Sequence, residues 1–85
     1  MEPITIQNFV YVLECSENMW YIGQTFHLNI RYAQHKNGTG ARWTRLHPPI
    51  RIARVILDKS ENEVTMDYIA LYGAANVRGG SWTKC

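Results

Sequence analysis

Phe9-Val10-Tyr11-Val12-Leu13-Glu14-Cys15, then Met19-Trp20-Tyr21-Ile22-Gly23-Gln24, then Leu28 and Arg31, form the stretch that decides the fold. Aromatic and β-branched residues crowd both runs, which predicts strands over 9–14 and 20–24. Ser16-Glu17-Asn18 lies between them and reads as a turn. A three-residue connection pairs Cys15 with Met19. Side chains alternate along a strand, so the odd-numbered residues of both strands then share one face. Tyr11 and Tyr21 stand on that face, one pair apart. A two-residue turn would put them on opposite faces. Gly23 reads as the end of the second strand or a bend in it.

A helix is predicted from about Phe26 to Lys36, with Thr25 as N-cap and Asn37-Gly38 as the stop. Leu28, Arg31, Tyr32 and His35 share one face by three-and-four spacing. Core-facing stripes are normally apolar. An arginine in this one calls for an anion, and a ligand is a better candidate than any nearby acid. The alternative is that Arg31 snorkels past Tyr32 to solvent.

Asn37 to Ala41 reads as a loop with two glycines, followed by Arg42-Trp43-Thr44-Arg45. Basic residues around an aromatic suit contact with phosphates and bases. Trp43 itself reads better as a lid packed on the core. Ile50 to Leu57 is a third strand, apolar enough to be central, with Arg51 and Arg54 interrupting it. Ser60 and Glu63 match a capping box and open a helix to about Tyr72. Its inward stripe is Val64, Tyr68, Leu71 and Tyr72. Glu61 falls on that inward side, whereas Glu63 and Asp67 point elsewhere. A carboxylate at the margin of a buried face needs a partner. A metal ion would be one; the helix dipole is the other reading. Gly73 stops the helix. Gly79-Gly80 is a tight turn, or a pair of N–H donors for a phosphate. Residues 1–7 read as an irregular or edge segment.

The 85 residues suffice for one small domain, residues 1–85, and the end after Trp82 suggests a piece of something longer. A 46% apolar fraction with 12% aromatics predicts a folded globule rather than disorder. No apolar run is long enough to span a bilayer, and the start lacks the pattern of a signal peptide. Cys15 and Cys85 make no disulfide framework. An intracellular compartment is the simpler expectation. Net charge is only +2, yet no acid occurs from Asn18 to Leu57. That stretch carries Arg31, Lys36, Arg42, Arg45, Arg51, Arg54 and three histidines. A continuous basic half is the footprint of a domain that grips a polyanion, unless the clustering is chance on a solvated surface.

Tyr11, Tyr21-Ile22-Gly23, Gln24-Thr25, Leu28 and Arg31, in this order and spacing, resemble the GIY-YIG nuclease domain. The second signature is intact. The first is Phe9-Val10-Tyr11, which keeps the tyrosine and loses the glycine. His35 with Gly38-Thr39-Gly40-Ala41 and Trp43-Thr44 looks like the single-domain members. The tail Asn76-Val77-Arg78-Gly79-Gly80-Ser81 resembles a subgroup found in viral and lower-eukaryote proteins. The resemblance covers nearly the whole chain.

It implies an α+β fold, a three-stranded antiparallel sheet flanked by helices, and a metal-dependent DNA endonuclease. Carried over, Tyr11 activates the attacking water as general base or phenolate. Tyr21 positions water and phosphate, Arg31 binds the scissile phosphate, and His35 supports the tyrosine or the phosphate. A helix glutamate holds one divalent cation, Mg²⁺ or Mn²⁺. Glu61 is the choice, because it combines the inward face with freedom from capping. Asn76 closes the site. Lys36, Arg42, Arg45 and Arg78 are the candidate nucleic-acid contacts. Tyrosine is a poor base near its ordinary pKa of about 10, so Tyr11 would need cationic surroundings. DNA is the implied partner, with an appended domain or protein partner supplying specificity, and a virus-encoded or cellular intracellular setting. The rival reading is an inactive nucleic-acid-binding or protein-interaction domain on the same scaffold.

Overall fold

The computed structural model describes residues 8–80 and Trp82. The expectations for residues 1–7, Ser81 and Cys85 lie outside the described residues. Strand β1 (Phe9–Cys15) and strand β2 (Met19–Thr25) pair antiparallel, with Cys15 opposite Met19 and Tyr11 opposite Gly23. The turn between them is Ser16–Asn18, three residues long. It closes because Glu17 and Asn18 adopt left-handed backbone, with φ of 63° and 61°, a conformation that asparagine tolerates better than most residues. The odd-length loop therefore puts both tyrosines on one face.

Helix α1 (Leu28–Asn37) and the short helix α2 (Arg42–Leu46) follow, then β3 (Pro49–Ile56), α3 (Glu61–Tyr72) and β4 (Val77–Gly79). The sheet order is β3-β1-β2-β4. β3 pairs antiparallel with β1 and β4 pairs parallel with β2. The sheet is thus four-stranded and mixed, not three-stranded and antiparallel as expected. The three expected strands are present; β4 is the addition. At three residues, one of them Arg78, it is too short for an alternation signal.

β3 is an edge strand rather than a central one. The strand apolar on both of its faces is β1, which is the mark of an interior strand. Val10 and Val12 pack with Ile22, Ile56, Val64, Tyr68 and Val77 on the α3 side. Tyr11, Leu13 and Cys15 pack with Met19, Tyr21, Leu28, Tyr32 and Ile52 on the α1 side. Replacing a fully buried residue such as Leu13 by alanine costs about 2–5 kcal/mol. Cys15 belongs to this packing, and burial pushes its thiol up to about 12.

The helices differ in detail from their sequence signals. Thr25 does not cap α1; its Oγ1 accepts from the His27 N–H at 3.0 Å and holds the turn ahead of the helix. Gly38 ends α1 with a φ of 86°. The segment 42–46, which carried no element assignment from the sequence, is helical, with Trp43 buried as expected and its Nε1 donating to the Trp20 carbonyl at 3.0 Å. Ser60 caps α3, its Oγ accepting from the Glu63 N–H at 3.1 Å. The inward stripe of α3 is Val64, Thr65 and Tyr68. Leu71 is 70% exposed and Tyr72 44% exposed, contrary to the expected stripe. Gly79 accounts for a small residue at Thr65. A Cβ at Gly79 would collide with the Ile22 carbonyl and with Thr65 Oγ1, so β4 closes tightly over the small residue.

Candidate active site

A cleft of about 260 Å³ opens where β1 and β2 face the helices. Tyr11 and Tyr21 come from the two central strands, Arg31 and His35 from α1, and Glu61 from the first turn of α3. Gly23, Gln24, Gly40 and Ala41 complete the wall. The first five are the residues singled out from the sequence, and the fold brings them together. Glu63 and Asp67 are elsewhere: Glu63 is engaged with the Ser60 cap, and Asp67 lies 3.3 Å from Lys59.

The tyrosines form a diagonal cross-strand pair with ring centroids 6.5 Å apart. Tyr11 is buried, and its hydroxyl lies 2.7 Å from His35 Nε2. His35 is buried too, and its Nδ1 lies 2.8 Å from Thr44 Oγ1. The Thr44 hydroxyl also reaches the Ala41 carbonyl at 3.0 Å. Two glycines make this packing possible. A Cβ at Gly23 would overlap the Tyr11 phenol, and one at Gly40 would stand 2.5 Å from His35 Nδ1. Gly23 therefore lies within β2 to make room for Tyr11, not to end the strand.

Burial sets the electrostatics. It pushes the Tyr11 phenol well above its ordinary value; Tyr21 adds to this, Arg31 opposes it and Glu61 adds again. Tyr21 is raised by burial and Glu61 against the pull of Arg31. His35 is pushed down to about 4 by burial and by Arg31. At neutral pH the imidazole is uncharged. The cationic setting expected to lower Tyr11 is thus outweighed in the ligand-free protein, where only Arg31 pulls that way. Glu61 is raised by burial, offset by a hydrogen bond from the Gly80 N–H. That glycine N–H, a candidate phosphate donor in the sequence, is directed to a carboxylate instead.

Arg31 has no ion-pair partner among the described residues. It is a cation aimed into a cleft whose one carboxylate, Glu61, is likewise without a salt bridge among them. Among the described residues no cluster of three His, Cys, Asp or Glu could hold a metal unaided. The donor set is one carboxylate beside an open cleft. It does not suit zinc, which takes three or four protein ligands. It suits a hard divalent cation that keeps water and substrate oxygens as its other ligands.

The remaining candidates lie outside the cleft. Asn76 is half-buried, and its Nδ2 donates to the Tyr72 carbonyl at 2.8 Å, closing the end of α3. Lys36, Arg42 and Arg45 are exposed on α1 and α2. Lys36 sits 5.5 Å over the Tyr32 ring. Arg78 lies 4.5 Å over the Trp43 ring and donates to the Ala74 and Val77 carbonyls. Sequence reading missed Gln24, Gly40 and Thr44. Gln24 and Gly40 were visible only as parts of motifs, and nothing in the chain's order ties Thr44 to His35.

The model of the GIY-YIG catalytic domain matches residues 7–72. Relatives include UPF0213 protein BH0048 of Halalkalibacterium halodurans, 34% identical over 68% of this chain and 62% of its own. UPF0213 protein YazA of Bacillus subtilis is 38% identical over 56% of this chain and 48% of its own. UPF0213 protein YsiG of Lactococcus lactis is 33% identical over 73% and 61%. The chain spans less than two thirds of the length of these curated relatives. They are bacterial UPF0213 proteins, not the viral and lower-eukaryote subgroup suggested by the Asn76–Ser81 tail. No solved structure matches the chain significantly. The family match runs through both tyrosine strands, both long helices and Glu61, and the chain belongs to the GIY-YIG catalytic domain family.

Proposed function

We propose that this domain is a metal-dependent endonuclease that hydrolyses phosphodiester bonds in DNA. The observation that carries the reading is the 2.7 Å contact between Tyr11 and a buried, uncharged His35, at a cleft that also holds Arg31 and Glu61. The Tyr11 oxygen takes a proton from a water held in the cleft. The phenol proton leaves through His35, which suits general-base work by a group too weakly acidic to ionise by itself. Tyr21 orients the water and the phosphate. Arg31 pairs with the scissile phosphate and stabilises the charge that grows on its oxygens.

Glu61 would hold one Mg²⁺ or Mn²⁺, which when bound supplies charge stabilisation beside the leaving oxygen. A raised carboxylate pKa without a salt bridge suits a group awaiting a cation. Lys36, Arg42 and Arg45 extend the positive surface along α1 and α2 for the DNA backbone, and Arg78 contributes from β4. Specificity is assigned to an appended domain or a partner, in an intracellular setting. Residues 1–85 serve as the catalytic module, and Asn76 supports the end of α3 next to it.

The test is incubation with plasmid and branched DNA in Mg²⁺ or Mn²⁺. Wild type should nick, and Tyr11→Phe and Arg31→Ala should not. A wild type that cuts nothing, or variants that cut equally well, would sink the proposal. Salt-dependent binding without cleavage would favour a DNA-binding module instead.

A further inference from the structure

Three buried side chains lie in line behind the cleft: Tyr11, His35 and Thr44. Thr44 does not line the cleft and is assigned no role by the family signature as read above. Its hydroxyl has two partners, His35 Nδ1 at 2.8 Å and the Ala41 carbonyl at 3.0 Å. A hydroxyl carries one proton, and the carbonyl can only accept. If Thr44 donates to Ala41, its oxygen must accept from an Nδ1–H of His35. Nε2 is then bare and accepts from the Tyr11 hydroxyl, and all three hydrogen bonds are made. If Thr44 donates to Nδ1 instead, the proton moves to Nε2, the Thr44–Ala41 bond is lost, and two remain. The Ala41 carbonyl keeps the Arg45 N–H in both cases, so no group is orphaned. The first arrangement makes one more buried hydrogen bond, each of which adds net stability, and it is the favoured one.

We propose that Thr44 is a positioning residue that fixes the Nδ1–H tautomer of His35, leaving Nε2 to receive the Tyr11 proton. The position of Thr44 follows from the fold around it. Helix α2 is anchored through Trp43, which bonds the Trp20 carbonyl, and this sets the next residue against His35. Gly40 removes the Cβ that would push the imidazole away. The opposite tautomer would donate to the Tyr11 oxygen and leave no base for its proton.

The consequence for rate rests on the nuclease reading. In that reaction the water proton passes to the Tyr11 oxygen as the Tyr11 proton passes to Nε2. The water oxygen bonds to phosphorus, the opposite P–O bond breaks, and the departing oxygen takes a proton from solvent. The imidazolium so formed keeps its Nδ1–H on Thr44, and the Nε2 proton returns to solvent by way of the Tyr11 hydroxyl once the product leaves.

The tautomer itself is testable without any substrate. Long-range ¹H–¹⁵N spectra of the labelled chain at neutral pH distinguish protonated from bare imidazole nitrogens, and His35→Gln identifies the His35 signals among the three histidines. Wild type should show Nδ1 protonated and Nε2 bare. Thr44→Val keeps the β-branched shape, and Arg45 N–H still satisfies the Ala41 carbonyl at 3.1 Å. That variant should lose the fixed tautomer, and Thr44→Ser should retain it. In cleavage, Thr44→Val should lower kcat at least about 10²-fold, the low end of what positioned proton transfer supplies. KM should hold and Thr44→Ser should recover most of the rate. An Nε2–H tautomer in wild type, an unchanged tautomer in Thr44→Val, or a Thr44→Val enzyme as fast as wild type overturns the assignment. Wild type that cuts no DNA refutes the nuclease reading alone, and the spectra then decide the tautomer.

Discussion

Tyr11 lies directly across the β1–β2 ladder from Gly23, and its phenol fills the space that a Cβ on Gly23 would need. The glycine of the second signature is thus a steric consequence of the tyrosine of the first. Gly23→Ala should push the Tyr11 ring away from His35. We expect a destabilisation of about 1–3 kcal/mol, the usual cost of overpacking a core, together with loss of cleavage. Urea melts and nicking assays on one preparation would check both. A variant as stable and active as wild type would contradict the packing described.

Tyr11→Phe removes the hydroxyl and keeps the ring. His35 Nε2 loses its partner, which costs about 1–3 kcal/mol for a buried unsatisfied acceptor. Cleavage should fall by about 10²–10⁴-fold, the range for a positioned general base. Single-turnover rates on nicked product, with circular dichroism to confirm folding, separate the two effects.

His35 imposes a pH dependence on stability. Its folded value of about 4 lies below the ordinary 6.5, so the unfolded chain binds more protons between these limits. Stability should therefore fall as pH drops from about 6.5 towards 4 and owe no further loss to His35 below that. Glu61, raised by burial, works in the opposite sense as pH rises past its ordinary range. The difference in urea midpoint between wild type and His35→Gln isolates the histidine. A difference that stays constant from pH 7 to about 4 would refute it.

Glu61→Gln tests the cation site. The neutral amide keeps an oxygen for the Gly80 N–H and removes a desolvated charge. The metal-free variant should be no less stable than wild type by thermal melting. Calorimetric titration with Mn²⁺ should show binding to wild type and none to the variant. Equal binding by both would move the cation away from Glu61.

Much of the molecule was legible in order along the chain. The apolar run of β1, the odd-length turn and the three-and-four spacing of α1 determined that Tyr11 and Tyr21 share one face of the hairpin and that Arg31 and His35 share one face of the helix, because period and register are local properties. Packing decided that these faces meet. The freedom of Glu61 from the Ser60 cap was equally local. Tertiary structure alone decided the rest. The edge position of β3 and the parallel pairing of β4 depend on which strand the two helices cover, and no single segment encodes that. Thr65 is buried on α3 where Gly79 brings β4 close. The charge states of Tyr11 and His35 were set chiefly by burial, which outweighs Arg31 at Tyr11 and acts together with it at His35. And the link from Thr44 to His35 joins two helices through hydrogen bonds, which depend on three-dimensional distance and direction and leave no periodic trace in the sequence.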